Sequence, residues 1–96
     1  MGKVVYIAGP MTGKENYNRA TFNYTESSLS AEGYIVLNPA RLPIGMPDKS
    51  YLPICMSMLE QADMVYCLEG WRESQGARAE IAYAIRQKLP LIGAER

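Results

Sequence analysis

Histidine is missing altogether from this 96-residue chain. Its absence removes Ser-His and Cys-His nucleophile pairs, His-ligated zinc and any imidazole base. Acid–base chemistry is left to carboxylates, tyrosines and lysines. Cysteine is scarce: Cys55 and Cys67 both lie in apolar stretches and form no CxxC pair. They read as reduced core residues of a cytoplasmic protein. Neither sign of charge is in excess, with ten basic and ten acidic residues. That argues against non-specific binding to nucleic acid or to a membrane surface. No apolar run approaches the ~20 residues of a membrane span. The opening "MGKVVYIAGP" is too short and too soon broken for a signal peptide. No cofactor or metal is expected.

What is present is an alternation of short apolar runs and helical patterns. "KVVYIA" (3–8), "YIVLN" (34–38), "DMVYCL" (63–68) and "LPLIG" (89–93) read as strands. A helical pattern between the first two carries Ala20, Tyr24, Ser27 or Ser28, and Ala31, with Gly33 as a stop. After the loop "PARLPIGMPDKS", residues 51–62 read as a helix with Ser50 as N-cap and Pro53 in the first turn. That helix is apolar nearly all round, which predicts cover on more than one side, the second from another subunit. Residues 74–88 form the last helix. The order β-α-β-loop-α-β-α-β predicts one domain over 1–96. Its fold class is α/β, a flavodoxin-like three-layer sandwich with a four-stranded parallel sheet of order 2-1-3-4.

In such sheets ligands bind beyond the carboxyl ends of the strands, near the point where strand order reverses. The loops leaving those ends are "GPMTGKENYN", "NPARLP" and "EGWRESQG". They bring Gly9, Pro10, Met11, Thr12 and Gly13 from the first, Asn38 from the second, and Trp71, Ser74 and Gly76 from the third. "GPMTGKE" is not a Walker A loop, because Glu15 stands where Ser or Thr is needed. A glycine-bearing turn there still offers N–H groups to an anion, or is a plain tight turn. Ser74 is a good N-cap and Gly76 falls in the first helical turn, so a phosphate would fit that helix end.

Glu80 lies about one turn further in. The apolar stripe of its helix runs through Ala77, Ile81, Ala84 and Ile85, and Glu80 falls on its flank. Gly76, Ala77, Tyr83 and Ala84 occupy the places three and four residues away, so no helical cation pairs with it. Two readings stay open. Glu80 is the reacting carboxylate of a pocket, or a buried-edge side chain bonded to a tyrosine or the backbone. Tyr6, on the neighbouring strand, is placed to bond it. Among companion carboxylates, Asp63 starts a strand at the wrong end of the sheet. Asp48, Glu69 and Glu73 are on the correct side.

These pieces, "YIAGPMTG" with "YN" and Phe22 after it, "GYIVLNPA", "ADMVYCLEGW" and "SQGARAE", resemble the nucleoside 2-deoxyribosyltransferase-like superfamily. The likeness is to its short phage and bacterial branch, known only as a domain of unknown function. It covers most of the chain in the expected order. It implies a homodimer or higher homo-oligomer with sites near subunit contacts, and chemistry at an N-glycosidic bond. By that resemblance Glu80 is the nucleophile that attacks the anomeric carbon, and Tyr6 orients it. Gly9 and the residues after it line the pocket. Ser74 matches a serine of the nucleotide hydrolases that helps hold a 5′-phosphate, where the transferases have an Asp. A small-molecule nucleoside 5′-monophosphate is therefore the expected substrate, or the ligand of a non-catalytic binder. Two positions depart from the pattern. Cys55 stands where the hydrolases carry an Asp general acid, and Thr12 where they carry an Arg. The short stretch after the fourth strand also leaves little of a C-terminal segment that completes a neighbouring site in the family.

Overall fold

The computed structural model describes residues 2–95. The strands are β1 (Val4–Ala8), β2 (Ile35–Leu37), β3 (Met64–Cys67) and β4 (Leu91–Ile92). The helices are α1 (Arg19–Ala31), α2 (Asp48–Glu60) and α3 (Gln75–Arg86). All strands pair in parallel, in the order β2-β1-β3-β4. The flavodoxin-like α/β fold expected from the alternation is thus the one observed.

The central strand β1 sorts its side chains by alternation. Val5 and Ile7 pack with Phe22 and Leu29 of α1 on one face. Tyr6 and Ala8 point to the other, among Cys55 and Leu59 of α2 and Ile81 and Ala84 of α3. A fully buried tyrosine is therefore sent to the layer that holds α2 and α3. The strand order reverses beside β1, and the loops after β1 and β3 flank that point.

Several local expectations are corrected. The helix expected between the first two strands starts only at Arg19, because Asn16, Tyr17 and Asn18 take left-handed φ values of 49°, 55° and 63°. Asparagine tolerates that region, and the Asn18 side chain ties the turn back by donating to the Pro10 carbonyl. The buried face of α1 is Phe22, Thr25 and Leu29, while Tyr24 is exposed. Phe22 and Leu29 took the core. α1 ends as expected at Gly33, which has φ 98°; Tyr34 N–H reaches back to the Leu29 carbonyl, a Schellman closure.

The second helix begins at Asp48, with Pro47 rather than Ser50 as N-cap. Ser50 N–H instead bonds the Pro47 carbonyl in the first turn. Pro53 consequently sits in the second turn. Within the chain α2 buries only Cys55 and Leu59, and leaves Leu52 and Ile54 exposed. On α3 the buried seam is Ala77, Glu80, Ile81 and Ala84, and Ile85 is outside it. Among the described residues no helix is long and apolar enough to cross a membrane.

Candidate active site

The site grows from two neighbouring elements. β1 delivers Tyr6, wholly buried, and α3 presents Glu80, only 7% exposed. The Tyr6 hydroxyl donates to Glu80 Oε2 at 2.8 Å. Among the described residues no cation pairs with Glu80. Burial pushes the Glu80 carboxyl up to about 7, and the Tyr6 hydrogen bond only partly offsets it. Tyr6 is itself pushed up, chiefly by burial and then by the facing carboxylate, so it remains a donor. Cys55 of α2 borders the same pair, and burial pushes its thiol up as well.

These groups line a cavity of about 400 Å³. Of the residues read from the sequence, the cavity wall holds Tyr6, Gly9, Met11, Thr12, Ser74, Gly76 and Glu80. Pro10 lines an adjoining hollow, which shares Thr12, Ser74 and Gly76 with the main cavity and adds Lys14. Gly13, Asn38 and Trp71 line neither. Gly13 serves a turn with φ 85°. Asn38 is buried, and its amide is taken up by Asn23, Glu26 and the Ala40 N–H. The Trp71 indole donates to the Ala94 carbonyl and carries the Arg72 guanidinium over its ring.

Two glycines shape the wall in opposite ways. A Cβ on Gly9 would meet Leu68 at 2.7 to 3.0 Å, so packing forbids it. A Cβ on Gly76 would meet nothing within 4 Å, so the fold does not need a glycine there. Gly76 is the second residue of α3, behind the N-cap Ser74. Ser74 Oγ accepts from the Ala77 N–H at 3.2 Å. That leaves the N–H groups of Gln75 and Gly76 without a protein acceptor among the described residues, at the positive end of the helix.

The opposite wall comes from the segment read only as a loop. Leu42, Ile44, Gly45 and Met46 line the cavity, followed by Asp48, Tyr51 and Leu52 of α2. Two side chains hold this segment. Tyr51 donates to the Pro43 carbonyl at 2.7 Å and accepts from the Met46 N–H at 3.1 Å. Arg19 donates to the carbonyls of Ala40 and Leu42 at 2.6 and 3.3 Å. Arg19, Tyr17 and this apolar wall were missed in the sequence. No local pattern marks a loop that is folded by contacts from distant side chains. The one available signal was Asp48, a carboxylate at a helix start facing the ligand edge.

Fold and site thus define an α/β protein with a cavity at the topological switch point, walled by a tyrosine-bonded glutamate. The chain belongs to the family described as domain of unknown function DUF4406, whose pattern matches residues 3–93. No match was found among curated proteins. Among solved structures the chain is similar to a 2-desoxiribosyltransferase from Leishmania mexicana, with a TM-score of 0.72 and 20% identity. The likeness covers 93% of this chain and 61% of that one. At that identity it speaks for the fold, and this chain spans about three fifths of that protein.

Proposed function

We propose that the protein cleaves or exchanges the N-glycosidic bond of a (deoxy)nucleoside 5′-monophosphate, with Glu80 as nucleophile. The observation that carries this is a buried carboxylate on the cavity wall with one hydroxyl for a partner and, among the described residues, no cation paired with it. It stands one helical turn from the free N–H groups that open α3. A 5′-phosphate would sit at that helix start, against Ser74 and Gly76. A nucleotide held that way would have its anomeric carbon near Glu80.

The ionised carboxylate attacks that carbon and the C–N bond breaks. The base leaves with the bonding pair and takes up a proton from water, and a ribosyl ester forms on Glu80. Water, or a second base, then attacks the same carbon and frees the carboxylate. The physical logic is that of a retaining glycosidase. Tyr6 holds the carboxylate in position. The family resemblance and the shared fold with a 2-desoxiribosyltransferase support this reading. The test is incubation of purified protein with millimolar nucleoside 5′-monophosphates, followed by chromatography for free base. Release that is lost in Glu80→Gln supports it. No release, or equal release by the variant, overturns it.

One observation favours a second reading, a nucleotide-binding protein without turnover. Cys55, not a carboxylic acid, borders the Tyr6–Glu80 pair, and a thiol whose ionisation is resisted by burial is a poor proton source for a leaving base. Saturable binding with no product would select that reading. Buried Cys55 and Cys67 fit a cytoplasmic setting. Exposed Leu52 and Ile54 on α2 fit a homo-oligomer, which sedimentation would reveal as a mass above that of one chain.

A further inference from the structure

Asp48, Tyr51, Leu52 and Cys55 all line the cavity. Their spacing of i, i+3, i+4 and i+7 makes them one face of α2. The Cys55 end of this face borders Tyr6 and Glu80. Asp48 stands at the other end, seven residues away, or ~10 Å along the helix axis. Tyr51 and Leu52 lie between, and the tyrosine is fixed by its bonds to Pro43 and Met46. Asp48 and Glu80 are the two carboxylates of the wall. Glu80 is bonded to Tyr6, whereas no hydrogen bond or ion pair engages Asp48 among the described residues.

Two lines of wall residues therefore lead away from Glu80. One follows α3 to its N-terminus, where Ser74 and Gly76 stand. The other follows the α2 face past Leu52 and Tyr51 to Asp48. A nucleotide with its anomeric carbon at Glu80 and its phosphate at the start of α3 lays its base along the second path. We propose that Asp48 reads the far edge of that base and selects nucleotides whose base carries an exocyclic amino group there. This rests on the glycosidic-bond reading of the site and adds the substrate class to it.

The chemistry is one-sided. An ionised carboxylate only accepts hydrogen bonds. The 4-amino group of cytosine and the 6-amino group of adenine donate to it. Uracil and hypoxanthine present a carbonyl oxygen at the same place, and two acceptors face each other. A site built to accept from an amino group rejects the analogue that lacks it. Ring size matters less, because Leu52 and the Tyr51 ring offer a sequence-tolerant apolar surface.

The test compares dCMP with dUMP, and dAMP with dIMP, on the full chain by base release and by calorimetric binding. The wild type prefers each amino base by about tenfold or more. Asp48→Asn, whose amide also donates, erases that ratio and gains on the oxo bases. Because a merely structural role would lower all four nucleotides together, the ratio is the diagnostic readout. Equal release of amino and oxo bases by the wild type, or a ratio unchanged in Asp48→Asn, overturns the assignment while the glycosidic-bond reading stands. A binding preference without turnover, erased by Asp48→Asn, upholds Asp48 and overturns only the catalysis. Failure of all four nucleotides to bind overturns both.

Discussion

Glu26 and Glu80 are the same side chain on two helices that flank β1, and their surroundings drive them in opposite directions. Glu26, on α1, receives the Arg41 guanidinium through Nε at 2.7 Å and Nη2 at 2.8 Å, and the Asn38 amide at 2.8 Å. Its carboxyl is held below the ordinary value, chiefly by the Arg41 hydrogen bond. Glu80, on α3, is more deeply buried, has one hydroxyl partner, and is pushed up to about 7. A carboxylate supplied with a cation and one further amide donor is quiet and serves the structure. One that is desolvated and under-partnered stays reactive, and the protein is less stable for keeping it ionised.

Glu80→Gln breaks the contrast most severely. Base release should fall by a factor on the order of a thousand or more. Stability should move the other way, and only at high pH. The folded carboxyl, at about 7, lies above its ordinary 4.5. The stabilising contribution of the bound proton is thus complete below ~4.5 and is lost as pH rises through ~7. For the wild type that loss amounts to about 3 kcal/mol. Glutamine has no proton to lose. Urea unfolding should find the two proteins alike at pH 4.5 and the variant more stable at pH 8. A variant that is less stable at pH 8 would mean Glu80 is a structural residue.

Asn38→Ala attacks the quiet side. It removes the acceptor for the Ala40 N–H and the donor to Glu26 and Asn23, all at a buried position. The expected cost is about 2 to 3 kcal/mol in urea unfolding, with base release by the folded fraction unchanged. A specific loss of turnover would return Asn38 to the site.

Tyr6→Phe makes Glu80 still poorer in partners. The Tyr6 bond is the influence that lowers the Glu80 carboxyl, so its removal pushes that carboxyl further up. The pH midpoint of base release should rise, and release at pH 7 should drop about fivefold for the first unit of that rise and about tenfold for the next. A profile that keeps its midpoint would show that Tyr6 does not hold the ionised form.

The sequence carries the reactive half of this contrast better than the quiet half. Alternating strands and helices decide the sheet order, and β1 alternation sends Tyr6 to the side of α3. The missing cation around Glu80 is legible because helical neighbours are fixed by spacing. The Glu26–Arg41–Asn38 cluster joins residues 12 to 15 positions apart through a loop. No periodic pattern encodes such contacts, so Asn38 read as a ligand residue. The same reason hid the wall made by residues 42–46, which Arg19 and Tyr51 hold from outside the segment. The start of α2 was misread because Ser50 is the better N-cap by type. Pro47 took the position, and Asp48 followed it into the first turn.

The finest division between structure and function lies within the reactive side, at the two glycines. Gly9 is demanded by Leu68, whereas the space beside Gly76 is empty of protein. Gly76→Ala should therefore leave Tm unchanged or slightly raised, since alanine is the better helix former by up to about 1 kcal/mol in a helix interior. The added methyl would stand before the free N–H groups of Gln75 and Gly76, where a phosphate approaches. Calorimetry should show the Kd of a nucleoside 5′-monophosphate weakened about tenfold, the worth of roughly one charge-assisted hydrogen bond. The Kd of the same nucleoside without its phosphate should stay put. Equal weakening of both would place the phosphate elsewhere and leave Gly76 as a sugar contact. A loss of stability would mean that the glycine serves the helix start after all.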